Sequence, residues 1–179
     1  RLSTSFLSIQ HAHVHTPAYK PNEHGTGIVH IGIGAFHRGH QAVFTDDAIA
    51  NSGGDWRITG VSLRSATVSE QLNPQNGLYT VVERSEAGKN ARIIAAVKEV
   101  LCAKHERSKV VEAIASPNTH IVTLTVTEKG YHFDQSTGDI QWKSKDIQHD
   151  IACPELPVSM PGYLVLALKA RMENALRTS

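Results

Sequence analysis

Short apolar runs alternate along this chain with stretches whose apolar positions recur three and four residues apart. Residues 27–34 form the first apolar run; it ends in glycines and predicts a buried strand. Residues 40–51 have helical spacing, with Ala42, Val43, Ala48 and Ile49 apolar, and Ser52-Gly53-Gly54 stops them. Residues 56–63 predict a second strand, and residues 67–72 a short helix closed by Asn73-Pro74. Two β-rich runs, 78–83 and 91–97, flank a polar segment that contains Gly88, which predicts a hairpin. Residues 106–115 predict a helix with Val110, Val111 and Ile114 on one face. The β-branched run 120–126 predicts a strand at the centre of the sheet. A polar, turn-rich segment covers 134–157, and residues 163–176 predict a last helix with a stripe of Leu164, Ala167, Leu168 and Met172.

Strands that alternate with helices imply an α/β domain with a mostly parallel sheet, flanking helices and an inserted β-hairpin. Residues 1–26, with Pro17, Pro21 and Gly25, read as a lead-in, and residues 27–179 as the domain proper. Parallel sheets bind ligands beyond the carboxyl ends of their strands. The segments to watch therefore follow Ile33, Leu63 and Val126.

Composition narrows the partners. The 18 basic and 17 acidic residues leave a formal charge of +1, so no basic field draws the chain to nucleic acid or an anionic membrane. No apolar run approaches a membrane span, and residues 1–14 lack the apolar block of a signal peptide, so a cytoplasmic protein is expected. Cys102 and Cys153 match no metal or redox spacing. His11, His13 and His15 alternate and would share one face of an extended segment. They support a metal-binding reading only weakly, because no carboxylate or thiol lies near them in sequence, and no metal is expected. The chain begins with Arg rather than Met and ends in a helix without a closing glycine, as a piece of a longer polypeptide would.

The chemistry lies in the first turn, Gly32-Ile33-Gly34-Ala35-Phe36-His37-Arg38-Gly39. Glycines after a strand let the backbone turn tightly and approach a pyrophosphate, and the following helix start offers free N–H groups to it. Gly32, Gly34, Ala35 and Phe36 are the candidate phosphate cradle, and Arg38 adds a cation. The third glycine of the usual fingerprint is replaced by His37. Phe36 covers the cofactor or, as a bland alternative, fills the core. His37 and His40 invite a two-histidine metal site, with packing the simpler reading. The second strand ends in Leu63-Arg64-Ser65, with no carboxylate for the adenosine ribose. Arg64 and Ser65 suit a 2′-phosphate instead; otherwise Arg64 is a solvated loop residue. Thr127 and Glu128 follow the later strand, where a nicotinamide would approach, and Glu128 reads equally as a loop or capping carboxylate.

In combination these segments resemble the mannitol dehydrogenase family. The resemblance rests on residues 32–41 with Thr45-Asp46, on 56–65, on Leu72 with residues 75–80, on Ser116-Pro117, on 121–131, and on His149-Asp150 with Arg171. It covers about residues 27–177. It implies a Rossmann-type domain that binds NAD(H), in an oxidoreductase, while Arg64-Ser65 leaves NADP possible. Such enzymes move hydride between a polyol and a ketose, or between a hexonate and a ketohexuronate, as mannitol 2-dehydrogenases and fructuronate reductases do. It further implies that the sugar alcohol or hexuronate is held by a helical second domain, which supplies the catalytic lysine. No catalytic residue is then expected in this chain, and Lys129 is not that lysine. Asn76 and Cys153 depart from the residues many relatives carry, Asp and Asn. The alternative reading is a nucleotide-binding or regulatory module without catalysis.

Overall fold

The computed structural model describes residues 1–8, 14–86 and 88–174. Its strands are β1 (Val14–His15), β2 (Thr26–Ile31), β3 (Arg57–Ser62), β4 (Tyr79–Ser85), β5 (Gly88–Ile94), β6 (Val97–Cys102), β7 (Ile121–Leu124), β8 (Phe133–Asp134) and β9 (Asp139–Ile140). Its α-helices are α1 (Ala35–Gly39), α2 (Gln41–Ser52), α3 (Thr67–Leu72), α4 (Arg107–Ala115), α5 (Lys145–Ala152) and α6 (Met160–Glu173).

Four strands pair in parallel in the order β6-β3-β2-β7. The chain steps outward from β2 to β3 to β6, then crosses back to the other side of β2 for β7. The reversal leaves a switch point between β2 and β7, the place where such sheets take ligands. Alternate residues of β2 point to opposite faces. Ile28 joins Ile49, Ile58 and Ala42 under α2, whereas Val29 and Ile31 join Val110, Ile114, Tyr163 and Ala167 under α4 and α6. Burying each such aliphatic side chain contributes roughly 1.5–3 kcal/mol, and the two middle strands are buried along nearly their whole length.

The expected hairpin is present: β4 and β5 pair antiparallel from Tyr79↔Ile94 to Ser85↔Gly88. It forms its own sheet, to which the lead-in adds β1, parallel to β5. The buried Asp46 carboxylate of α2 holds this sheet in place. It accepts hydrogen bonds from Tyr19 Oη at 2.6 Å, Arg92 Nη2 at 2.9 Å and the Ala95 amide at 2.9 Å.

Several sequence expectations need correction. The second hairpin strand stops at Ile94, and a separate strand, β6, begins at Val97 in the parallel sheet. Only the buried pair Ala95-Ala96 separates them, with no glycine or proline to mark the change of sheet. Strand β7 lies at the sheet edge among the described residues, and Ile121 is 44% exposed. β-branched residues signal a pleated surface, not a position in the sheet. The polar segment contains helix α5, which buries only Ile147. Helix α6 starts at Met160, where Ser159 Oγ caps the Gly162 amide at 3.1 Å. Its inward residues are Met160, Tyr163, Ala167 and Arg171, while Leu168 and Met172 face outward. Apolar residues surround this helix, so periodicity alone could not choose its buried face. No helix among the described residues is long and apolar enough to cross a membrane.

Candidate functional site

Gly32 and Gly34 are needed for different reasons. Gly32 has φ +105°, and a Cβ there would lie 2.7 Å from the Thr125 carbonyl oxygen. Only glycine allows that close passage of the β2 turn against the segment after β7. Gly34 has an ordinary extended conformation at the N-cap of α1. A Cβ there would meet only the Gly32 carbonyl, at 3.8 Å, so the space before it is open. Gly34, Ala35 and Phe36 are exposed. The first N–H groups of a helix have no intrahelical acceptor and sit at its positive end. Phe36 is 67% exposed, so it is not a core residue; its ring stacks on His40 at 4.4 Å.

Arg38 points back into the turn. Its Nη1 donates to the Ile33 carbonyl at 2.7 Å, while Tyr79 Oη donates to the Arg38 carbonyl at 2.7 Å. The guanidinium thus braces the loop from behind.

His37 does not pair with His40. It is fully buried, in the place of the third glycine, and its ring lies 3.5 Å from that of His30 on β2. Sequence reasoning missed His30, whose only signal was a histidine inside an apolar run. A hydrogen-bond chain fixes its tautomer. Gln41 Nε2 donates to Thr123 Oγ1 at 3.2 Å, and Thr125 Oγ1 donates to the Gly32 carbonyl at 2.9 Å. His30 Nδ1 lies 2.7 Å from Thr123 Oγ1, and Nε2 lies 2.8 Å from Thr125 Oγ1. With the Thr125 hydroxyl proton on Gly32, His30 Nε2 is the donor to Thr125 and Nδ1 accepts from Thr123. Neither ring nitrogen of His37 has a hydrogen-bond partner among the described residues. Burial pushes the His30 pKa down to about 4. Burial first, then the neighbouring His30 and Arg38, push that of His37 down to about 3. Both rings are neutral at physiological pH.

The remaining candidates line the same carboxyl edge. Arg64, beyond β3, is 81% exposed and reaches Asp146 of α5 at 3.5 Å. Ser65 Oγ lies 2.8 Å from Thr67 Oγ1 and accepts the Thr67 amide at 3.2 Å. Thr127 is exposed and precedes the 3₁₀ turn Glu128–Tyr131; the Glu128 side chain is outside the described part of the molecule. Leu63 and Arg64 also line an open cavity of 510 Å³ with Lys104, Arg107, Asp146 and Tyr163. Lys104 escaped sequence reasoning because it follows β6, the strand it did not separate. Of the N-terminal histidines, His11 and His13 lie outside the described residues. Among the described residues no group of three or more His, Cys, Asp or Glu is placed to hold a metal ion.

A glycine turn at the switch point, an exposed helix start and a polar cavity on the next strand thus share one edge of the sheet. Known proteins share this fold and much of this sequence. Residues 26–178 match the model of the mannitol dehydrogenase Rossmann domain. The chain is 45% identical over 166 residues to the uncharacterized oxidoreductase YeiQ of Escherichia coli, covering 92% of this chain and 34% of that protein. It is 39% identical over 169 residues to mannitol 2-dehydrogenase of Pyricularia oryzae, with the same coverage of each. The structure of Pseudomonas fluorescens mannitol 2-dehydrogenase in ternary complex with NAD and D-mannitol superposes with TM-score 0.93 at 35% identity, over 99% of this chain and 37% of that one. A substrate-free D-sorbitol dehydrogenase gives TM-score 0.92 at 28% identity, with the same coverage of each. The chain spans about a third of the length of the curated relatives it matches.

Proposed function

This chain belongs to the mannitol dehydrogenase family, as its Rossmann domain, and from that premise we propose that it is the cofactor-holding part of an NAD-dependent polyol dehydrogenase. The observation that carries the proposal is the turn itself. Gly32 is forced by the Thr125 carbonyl, and the open face of Gly34 adjoins unpaired helix-start amides at the switch point. Such a cradle fits a pyrophosphate. Gly32, Gly34, Ala35 and Phe36 are the residues that would hold it, with Arg38 keeping the loop in shape through Ile33. Arg64 and Ser65 lie on the adenosine side, and Thr127 and Glu128 on the nicotinamide side.

When bound, the dinucleotide supplies the hydride chemistry. What this chain contributes is placement: two neutral imidazoles and two threonines stiffen the strand behind the turn, without a proton to give or take at neutral pH. The reaction of the whole protein is hydride exchange between NAD(H) and a secondary carbinol carbon of a polyol, the acid–base group coming from outside this chain. Hexonates and ketohexuronates are the neighbouring substrate class, and a cytoplasmic setting belongs to the same reading.

Calorimetric titration tests it. The chain is expected to bind NAD weakly, and Gly34→Val to abolish binding while leaving the melting temperature near that of the parent. Equal affinity in both proteins refutes the cradle. The chain alone is expected to turn over no mannitol, fructose or fructuronate; reproducible turnover would overturn the placement of the acid–base group elsewhere.

A further inference from the structure

The cavity beside Arg64 has a charge pattern that a ribose hydroxyl does not need. Strands β3 and β6 are neighbours, in register at Ser62↔Cys102, and the Ala103 amide continues the pairing onto the Ser62 carbonyl at 2.8 Å. Their chains therefore emerge side by side, Arg64 from one and Lys104 from the other. Arg107, at the start of α4, closes the cavity and is anchored by its Nε on the Pro157 carbonyl at 3.2 Å. Three cations thus line a space of 510 Å³ whose only carboxylate, among the described residues, is that of Asp146. Asp146 engages Arg64 at 3.5 Å in an exposed pair, a weak kind readily exchanged for a better anion. Lys104 is exposed and makes no hydrogen bond or ion pair among the described residues. The strand end itself, Ser62-Leu63-Arg64-Ser65, carries no acidic side chain to accept from ribose hydroxyls or repel a phosphate.

Resting on the dinucleotide reading above, we propose that this cavity is a 2′-phosphate subsite, so that the chain takes NADP(H) as well as NAD(H). Arg64, Lys104 and Arg107 would read the phosphate. The sheet order places the subsite correctly: from the glycine turn after β2, the adenosine half runs toward β3 and β6, and the nicotinamide half toward β7. A phosphomonoester carries about −1.5 to −2 charges at neutral pH, which the excess of two cations over Asp146 neutralises. The planar guanidinium of Arg64 can meet it with two N–H groups at once.

Titrating the chain with NAD and with NADP, at low and at moderate salt, tests the proposal. NADP is expected to bind at least as tightly as NAD, and its affinity to fall more steeply with salt. Lys104→Glu, an exposed substitution that threatens no core contact, is expected to lower the ratio of NADP to NAD affinity tenfold or more. Arg64→Ala should lower the same ratio. NAD binding accompanied by NADP binding ten times weaker overturns the subsite and leaves the dinucleotide reading standing. An unchanged ratio in both variants does the same. Failure to bind either nucleotide overturns both.

Discussion

The buried imidazole pair makes a quantitative prediction about acid stability. In the folded chain His30 and His37 hold pKa values of about 4 and about 3, against an ordinary value near 6.5 when unfolded. Between those limits the unfolded state binds more protons than the native one, so stability falls as pH falls. The contribution is complete above about pH 6.5, shrinks below it, and levels off only beneath the folded values. Each histidine changes stability by about 1.4 kcal/mol per pH unit in that window, so going from neutrality to pH 5 costs about 2 kcal/mol per ring. His37→Leu removes one of the two terms. The measurement is urea unfolding of parent and variant at pH 7.5 and pH 5, taken as a double difference so that the other histidines cancel. The variant is expected to lose about 2 kcal/mol less than the parent on acidification. At pH 7.5 it should be as stable as the parent or more so, because two buried nitrogens without partners are gone. An identical pH dependence, within about 0.5 kcal/mol, would mean that His37 does not stay neutral in the fold.

Two further outcomes follow from packing. Gly32→Ala combines a φ of +105° with a Cβ 2.7 Å from the Thr125 oxygen. It should cost about 2–3 kcal/mol and lower the melting temperature by several degrees; a melting curve that superposes on the parent's refutes the close passage. Asp46→Ala strips three hydrogen bonds from a carboxylate that is 1% exposed. A loss of about 3 kcal/mol is expected, with faster hydrogen exchange of the Ala95 amide, and a chain that keeps its stability would show that the hairpin sheet does not depend on α2.

By itself, the sequence determined the elements whose cause is local. Residues 27–31 are apolar apart from His30, which marks a buried strand, and the glycines after it had to turn. The hairpin followed from two β-rich runs around a polar loop with a glycine. The candidate cradle residues Gly32, Gly34, Ala35 and Phe36 could be singled out because turn, strand and helix adjoin in sequence. Tertiary structure alone decided what depends on neighbours far along the chain. Strand β6 begins two alanines after the hairpin, with no punctuation, because pairing with β3 rather than any turn residue sets its start. The edge position of β7 comes from the direction of the crossovers. Helix α6 is apolar nearly all round, so contact with α4 chose its buried face. His30 and His37 lie seven positions apart and could be read separately, yet only the packing of α1 on β2 brings the rings together and drives both pKa values down. The cationic cavity arises in the same way: Arg64 and Lys104 are forty residues apart in sequence, and parallel pairing of β3 with β6 makes them neighbours, because adjacent parallel strands release their chains at one edge.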